Sequence, residues 1–251
     1  MTAPTVLALV RHGESAWIAE GRFQGRGDPP LSDFGLRQAA AVGARLAAPG
    51  EAPSVPLPGT PPVAIWHSPL RRAAQTAQAI HEAREADAPL RSLDTITELG
   101  QGEWEGLTHD EVRARYPEQL VAWRDDPMHN HAPGGESLRD ALERAQQARL
   151  TILAADAGQS TVNAEASRAP AEPVLGYEHG HRSHRGPTWA IVVAHDGILR
   201  LLMLDLLGVN IDRFWSFPLA LAGVTVLDLT AEMVRLRAHN LDEHIAALDR
   251  R

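Results

Sequence analysis

The sequence predicts an α/β fold in which helices cover both faces of a mostly parallel central sheet. Two apolar runs, residues 6–10 and 189–194, have the length and composition of strands buried on both faces. Helical and extended stretches alternate along the chain, which is the order expected of a parallel sheet. We therefore expect a three-layer sandwich, and the length of 251 residues fits a single domain over 1–251.

In the first part of the chain, two further strands and two helices are expected. Ser32 is a typical N-cap for a helix that runs to about Leu46, and residues 70–83 have the spacing of a second helix. Residues 63–66 predict a strand. Between these elements, residues 47–62 contain six prolines and two glycines, which predicts an irregular insertion. The side chains expected to face the core from the first helix are Leu36, Ala39, Ala40, Gly43 and Leu46.

In the second part of the chain, the pattern predicts three helices and a C-terminal β-hairpin. Residues 156–188 lack helical or strand periodicity, and a stretch of that length predicts a second irregular insertion. Residues 222–229 and 232–238 are two consecutive extended runs, which predicts the hairpin. The helices are expected at residues 108–125, from Ser137 to about residue 155, and at residues 197–207.

Composition excludes several classes of function. All 24 basic residues are arginine, so neither a Schiff-base lysine nor a P-loop lysine is available. The formal net charge of −8 opposes nonspecific binding of nucleic acid. The sequence has no apolar run of about 18 residues, no basic N-terminal stretch and no cysteine. These absences predict a cytoplasmic protein without a membrane span, a disulfide or a thiolate metal site.

Side chains suited to chemistry follow the predicted strands in separate parts of the chain. Arg11 and His12 follow the first strand, Arg72 lies near the start of a helix, and His195 follows the long apolar run. Glu98 follows a short extended piece. Because ligands bind at the carboxyl ends of the strands in open α/β sheets, we expect these side chains to converge there. Arginine and histidine beside helix N-termini suit a bound anion.

Several blocks of sequence, in the same order, resemble the signature of the histidine phosphatase superfamily, the phosphoglycerate mutase-like proteins. The resemblance covers nearly the whole chain outside 47–62 and 156–188, and the E-W-E-G block at 103–106 resembles the phosphatase branch in particular. The blocks are R-H-G at 11–13, G-R-F-Q-G at 21–25, S-P-L-R-R-A at 68–73, E-L-G-Q-G-E-W-E-G at 98–106, P-G-G-E-S at 133–137 and H-D-G at 195–197.

The resemblance implies a role for each of these side chains. His12 would be the nucleophile that forms a phosphohistidine, and Arg11 and Arg72 would bind the phosphoryl oxygens. Glu98 would protonate the leaving group, which requires a raised pKa, and His195 would donate when protonated. Positive neighbours would lower the pKa of His12 toward its neutral form. No metal and no cofactor are expected.

One position departs from the pattern of the family. Ile18 stands where the family often has an asparagine that contacts the phosphate, so one amide donor is missing. Ser15 and Gln24 are the candidate substrate-binding residues that could fill part of this gap.

The leading hypothesis is a phosphoric monoester hydrolase that releases inorganic phosphate from a small phosphorylated metabolite. A cofactor-dependent phosphoglycerate mutase-type isomerase is the first alternative. The resembled mutases hold a second acidic group with a lysine–tyrosine pair and paired arginines, whereas this chain has no lysine. A noncatalytic phosphate-binding module is the second alternative, although none of the residues implied in catalysis is lost. The sequence leaves the substrate open, and also the oligomeric state, with a homodimer as one alternative.

Other histidines lie in predicted loops. His179, His181 and His184 lie in the stretch 176–187, where a solvated loop is favoured over a metal site because no carboxylate or cysteine order accompanies them. His129 and His131 lie in a predicted loop at 126–136 that could contact the substrate.

Overall fold

A computed structural model describes residues 3–154, 187–230 and 232–248, and its centre is one six-stranded sheet. The strands are β1 (Val6–Arg11), β2 (Ile65–His67), β3 (Leu90–Ser92), β4 (Trp189–Ala194), β5 (Val224–Leu229) and β6 (Val234–Leu241). They are arranged in the order β3-β2-β4-β1-β5-β6. The first four in this order pair in parallel, whereas β5 is antiparallel to both β1 and β6. The predicted mostly parallel sheet and the C-terminal hairpin are therefore confirmed.

Helices cover both faces of this sheet. The helices are α1 (Ala16–Ala19), α2 (Asp33–Ala47), α3 (Arg71–Ala83), α4 (His109–Arg115), α5 (Pro117–Asp125), α6 (Leu138–Leu153), α7 (Asp196–Leu207) and α8 (Glu243–Ala246). Because successive strand residues point to opposite faces, Val6, Ala8 and Val10 of β1 pack in one core with α2 and α3. Leu7 and Leu9 pack in the other core with α6 and α7. The result is the expected three-layer sandwich.

Helix α2 buries only part of the predicted face, because Ala39, Gly43 and Leu46 are buried as expected and Ala40 is exposed. It begins after Ser32 as expected, and the Ser32 hydroxyl accepts the amide of Gly35. However, Leu36 is 47% exposed, whereas Gln38 is buried. Gln38 is buried because its side-chain oxygen accepts the backbone amide of Glu14 at 2.7 Å, so the polar group is satisfied inside the protein.

The predicted helix over 108–125 is two helices. Tyr116 separates α4 from α5 with φ −132° and ψ 48°. Proline disfavours helical geometry in the residue before it, and Pro117 is then well placed as the first residue of α5. Thr108 and Glu111 form a capping box at the start of α4.

The two predicted insertions differ in what the structure describes. Residues 48–64 contain no helix or strand, as expected, but they pack onto the sheet because Val55 is buried. The indole nitrogen of Trp189 also donates to the carbonyl of Thr60 at 2.6 Å. The second insertion at 156–188, with His179, His181 and His184, lies almost entirely outside the described residues. Within the described part, no helix is long and apolar enough to cross a membrane.

Candidate active site

Side chains from three neighbouring strands meet at the carboxyl edge of the sheet. The amide of His12, just after β1, donates to the carbonyl of Ala194 at 3.0 Å, and the amide of Ser68, just after β2, donates to that of Val193 at 3.0 Å. The parallel ladder therefore continues past the strand ends and sets His12, Ser68 and His195 side by side. The centroids of the two imidazole rings are 5.0 Å apart. Arg72 donates to His12, the charge of Arg11 also acts on His12, and Glu98 accepts the amide of Gly197 two residues after His195. The five predicted catalytic side chains therefore lie at the same edge.

His12 is buried and held in one tautomer by its own neighbour. Its Nδ1 lies 2.6 Å from the carbonyl oxygen of Gly13, which can only accept, so Nδ1 carries the proton. Its Nε2 accepts from Nε of Arg72 at 3.3 Å. Burial, followed by the charges of Arg72 and Arg11, holds the pKa of His12 well below its usual 6.5. The ring is therefore neutral, with a lone pair on Nε2.

Arg72 connects His12 to the loop that follows α1. It is fully buried near the start of α3, and its two terminal nitrogens donate to the carbonyls of Gly27 at 2.7 Å and Gly25 at 2.8 Å. Burial lowers its pKa to about 10, opposed first by the carboxylate of Glu98. The guanidinium therefore stays charged at neutral pH, and it supplies a fixed positive charge beside His12.

Arg11 brings a second positive charge to the edge. One terminal nitrogen donates to the carbonyl of Leu219 at 2.6 Å and lies 3.5 Å from a carboxylate oxygen of Asp196. Asp196 is paired in turn with Arg200 at 3.1 Å. These ion pairs hold Arg11 in place. Its side chain is 22% exposed, so the guanidinium is accessible from the solvent side.

Glu98 sits at the N-terminus of α7. One carboxylate oxygen accepts the amides of Leu99 at 2.9 Å and Ile198 at 3.2 Å, and the other accepts the amide of Gly197 at 3.3 Å. Burial raises the pKa of Glu98, and the negative charge of Asp196 adds to the effect against the opposing hydrogen bonds. The carboxyl group therefore keeps its proton to a higher pH than an ordinary glutamate.

His195 is buried and neutral. Its Nε2 lies 2.8 Å from the hydroxyl oxygen of Ser68. Burial first, and then the charge of Arg72, holds its pKa well below 6.5. The protonated form expected from the sequence is therefore disfavoured, because a third positive charge in this buried cluster would be repelled by the arginines.

The two predicted substrate-binding residues contact each other. The hydroxyl of Ser15 lies 2.5 Å from the side-chain oxygen of Gln24 and also accepts the amide of Ile18 at 3.1 Å. Ser15 is fully buried, and its hydroxyl caps α1 as well as contacting Gln24. Ile18, at the position that departs from the family pattern, lies on α1 with an intermediate exposure.

The sequence reasoning missed the residues that fix the loop around His12. The amide of Gly13 donates to the buried hydroxyl of Thr76 on α3 at 3.2 Å, and that hydroxyl donates to the carbonyl of Arg72. Gly13 is needed for packing and not for a left-handed turn, since a Cβ at this position would lie 2.6 Å from the carbonyl oxygen of Gly35. No periodicity marks these contacts, because they join residues that are far apart in the chain.

Arg144 of α6 is a second residue that sequence reasoning missed. Its guanidinium donates to the carbonyls of Thr95 and Thr97 at 2.9 and 3.1 Å, and it pairs with Glu136 at 2.7 Å. These contacts hold the segment that carries Glu98. An arginine beside the apolar face of a long helix is the only signal in the sequence, and it does not identify a partner.

The remaining candidates lie apart from this cluster. His129 is exposed and its Nδ1 lies 2.9 Å from a carboxylate oxygen of Asp126, and the Nδ1 of His131 lies 2.9 Å from the carbonyl oxygen of Ala132. Within the described ranges, no group of three or more histidine, aspartate or glutamate side chains is arranged to hold a metal ion.

Comparisons with known proteins agree with this arrangement. A family model described as the histidine phosphatase superfamily (branch 1) matches residues 7–164 and 174–242, so the chain belongs to that superfamily. Phosphoserine phosphatase 1 of Hydrogenobacter thermophilus is 30% identical over 223 residues, which cover 89% of this chain and 86% of the relative. A 2,3-bisphosphoglycerate-dependent phosphoglycerate mutase of a Methylobacterium species is 35% identical over 144 residues, covering 55% of this chain and 63% of the relative.

A solved structure extends the likeness to the whole fold. A mycobacterial glucosyl-3-phosphoglycerate phosphatase in complex with inorganic phosphate is similar with a TM-score of 0.70 and 25% identity. The similarity covers 96% of this chain and 99% of that one.

Proposed function

We propose that this protein is a phosphomonoesterase that hydrolyses small phosphorylated metabolites through a phosphohistidine on His12. The observation that carries the proposal is the state of His12, a buried neutral imidazole whose Nε2 lone pair lies beside the charged Arg72. A neutral ring nitrogen can attack phosphorus, and fixed positive charges reduce the repulsion between the phosphate and its attacker.

In the first step, Nε2 of His12 forms a bond to phosphorus while the bond from phosphorus to the ester oxygen breaks. Glu98 gives its proton to that oxygen, so the alcohol leaves neutral and Glu98 becomes a carboxylate. Arg11 and Arg72 stabilise the charge on the non-bridging oxygens, with planar donor groups suited to them. Attack exchanges the contact between His12 Nε2 and Arg72 Nε for the bond to phosphorus.

In the second step, water attacks the phosphohistidine. The Glu98 carboxylate takes a proton from the water as the new bond from oxygen to phosphorus forms and the bond from Nε2 to phosphorus breaks. Inorganic phosphate leaves, and His12 and Glu98 return to their starting states. The raised pKa of Glu98 supports both of its roles, because the group must bind a proton in one step and release it in the other.

Two observations favour a phosphatase over a mutase. The phosphatase relative aligns with a larger share of this chain than the mutase relative does. A mutase must also hold the second acidic group of its substrate, and this chain has no lysine for that purpose. Phosphorylated hydroxyl compounds of the size of the relatives' named substrates, phosphoserine and glucosyl-3-phosphoglycerate, are the substrates we propose to test first.

The location and assembly of the protein remain proposals as well. The absence of cysteine from the sequence supports a location in the cytoplasm, where disulfides are rare. A homodimer stays a prediction, to be checked by sedimentation of the full chain.

Release of inorganic phosphate from a panel of phosphomonoesters tests the proposal. We expect release from several members, and slow or absent interconversion of 2- and 3-phosphoglycerate even when bisphosphoglycerate is added. The matched control is His12→Asn, which keeps a polar side chain but cannot form the intermediate. Rapid bisphosphate-dependent interconversion with negligible phosphate release would show that the protein is a mutase and not a phosphatase.

A further inference from the structure

Ser68 is a buried hydroxyl in contact with the second histidine of the site. It follows β2 directly and is fully buried. Its hydroxyl oxygen lies 2.8 Å from Nε2 of His195, and it accepts the backbone amide of Leu70 at 3.3 Å. The two proposed steps use neither this hydroxyl nor the His195 ring, although that ring lies 5.0 Å from the ring of His12 between centroids.

The positions of the hydrogen-bonding partners decide where the hydroxyl proton goes. The amide of Leu70 occupies one lone pair of the Ser68 oxygen and cannot accept. Among the described residues, Nε2 of His195 is the one acceptor within hydrogen-bonding distance of this hydroxyl. Because a buried donor without a partner is unfavourable, the proton of Ser68 points at Nε2, and Nε2 must then be the acceptor.

A histidine that accepts at Nε2 carries its proton on Nδ1. The Nδ1 atom of His195 is buried and has no hydrogen-bond partner in the described part of the chain. The ring lies 5.0 Å from that of His12, between centroids. The Nδ1–H group of His195 is therefore a donor beside His12 that has no protein acceptor. An oxygen of the transferred phosphoryl group would be its acceptor.

We propose that Ser68 is a positioning residue that selects the Nδ1–H tautomer of His195, so that a neutral imidazole donates to the phosphoryl group. This inference rests on the proposed function. The opposite tautomer is disfavoured twice, because it would leave the Ser68 proton without an acceptor and would aim a lone pair at a phosphoryl oxygen. The arginines that oppose a positive charge on His195 do not oppose this donor, since it is uncharged.

Nitrogen-15 spectra of the histidine rings test the tautomer directly. In the wild-type protein, titrated with inorganic phosphate or vanadate, we expect the His195 signals of a protonated Nδ1 and an unprotonated Nε2. In Ser68→Ala, the signals should move toward a mixture of tautomers or toward protonated Nε2. A wild-type His195 that carries its proton on Nε2, or one that is charged at neutral pH, would overturn the inference.

Kinetics with two variants of Ser68 separate positioning from packing. We expect Ser68→Ala to lower kcat/KM for nitrophenyl phosphate about 10- to 100-fold, less than the loss from removing a donor itself. Ser68→Thr retains the hydroxyl and should recover most of that loss if its extra methyl group is accommodated. The ring signals of His12 and the thermal midpoint serve as controls for folding. A loss that is equal in both variants, with His195 unchanged in the spectra, would assign Ser68 a packing role only.

A double-mutant cycle with His195→Asn completes the test. The asparagine side chain donates through its amide whatever the state of Ser68. In the His195→Asn background, Ser68→Ala should therefore lower kcat/KM by less than about threefold. An undiminished cost there would contradict the inference. The spectra keep the two proposals apart, because a protein that binds phosphate with the expected tautomer but releases no phosphate from any ester would refute the proposed function alone.

Discussion

The carboxyl edge of the sheet and the α4–α5 segment over residues 109–125 are built in different ways. At the edge, His12, Arg72 and His195 are buried, and the positions of His12 and His195 follow from backbone pairing of adjacent strands. In α4–α5, ion pairs such as Arg113 with Asp110 are exposed, and pairs of this kind contribute little to stability. The comparison indicates that the sheet fixes the side chains at the edge, whereas the α4–α5 segment has exposed ion pairs that hold it weakly.

The α4–α5 segment is held by aromatic packing. Trp104, which is fully buried, contacts Tyr116 and Trp123 at 6.4 and 5.8 Å between ring centroids. Trp123 in turn meets Trp215 edge-to-face at 5.2 Å, and Trp215 is 43% exposed. The two regions are therefore held by different kinds of contact, and they should respond differently to mutation.

The largest effect is expected from His12→Asn. Loss of the nucleophile should lower kcat/KM at least about 10³-fold for every substrate. The thermal midpoint should change little, because asparagine retains a polar group at the position. Steady-state kinetics and circular dichroism check this pair of expectations. A variant with more than a tenth of wild-type activity would exclude the nucleophilic role.

Glu98→Gln should give a loss that depends on the leaving group. Alkyl phosphates, whose leaving oxygen needs a proton, should lose about 10²- to 10⁴-fold in kcat, and nitrophenyl phosphate much less. Because Glu98 acts in its protonated form and its pKa is raised, alkyl phosphate hydrolysis should fall as the pH rises through that pKa. The variant should lack this fall.

The matched control for Glu98 is Glu103→Gln. Glu103 is exposed and accepts the hydroxyl of Tyr116 at 2.8 Å in the α4–α5 region. Its replacement should leave the ratio of the two ester types unchanged. Equal losses on both ester types in Glu98→Gln would remove Glu98 from the role of acid.

A smaller effect is expected on the pH dependence of stability. The pKa of His12 is lowered in the folded protein, so below pH 6.5 the unfolded chain binds more protons and stability falls as the pH falls. The loss is at most about 1.4 kcal/mol per pH unit for one histidine. Glu98 acts in the opposite sense, because its pKa is raised. The slope of unfolding free energy against pH should therefore be shallower in His12→Asn than in the wild type.

Urea unfolding at a series of pH values measures these slopes. His129→Asn is the control, since that ring is exposed, and it should reproduce the wild-type slope. Identical slopes in the wild type and His12→Asn would mean that His12 is not held neutral by the fold.

The smallest effect on the chemistry is expected from Trp123→Leu in α5. Nitrophenyl phosphate should keep kcat/KM within about threefold of the wild type, because α5 is absent from the contacts of the buried edge. The order of preference among larger phosphomonoesters should change, since these reach further from the phosphoryl group. A loss of kcat/KM for nitrophenyl phosphate as large as the loss in Glu98→Gln would contradict the proposed difference between the two regions.

The sequence predicted the layers and the convergence of the site because both follow from local patterns. Apolar runs identified β1 and β4, and the residues after each strand had to meet at one edge. The face of α2 was predicted only in part, since Ala39, Gly43 and Leu46 are buried as expected. Helical periodicity assigns apolar residues to the core and could not predict Gln38, which is buried with its hydrogen bond. The break at Tyr116 was detectable in principle from Pro117.

The residues that hold the site in place could not be predicted from the sequence, for a physical reason. Thr76 accepts an amide 63 positions away, and Arg144 donates to carbonyls 47 and 49 positions away. No local pattern specifies such partners. The neutral state of His195 also depends on burial and on charges brought together only by the fold. The convergence of side chains at the strand ends could thus be predicted, whereas the protonation state of His195 required the three-dimensional arrangement.

Trapping the covalent intermediate tests the central claim most directly. The wild-type protein, mixed with phosphorus-32-labelled substrate and quenched in alkali to preserve phosphohistidine, should carry label on a peptide that contains His12. His195→Asn should retain label on the same peptide, and His12→Asn should carry none. Label on His195, or hydrolysis at the wild-type rate with no label on either histidine under rapid quenching, would contradict the account.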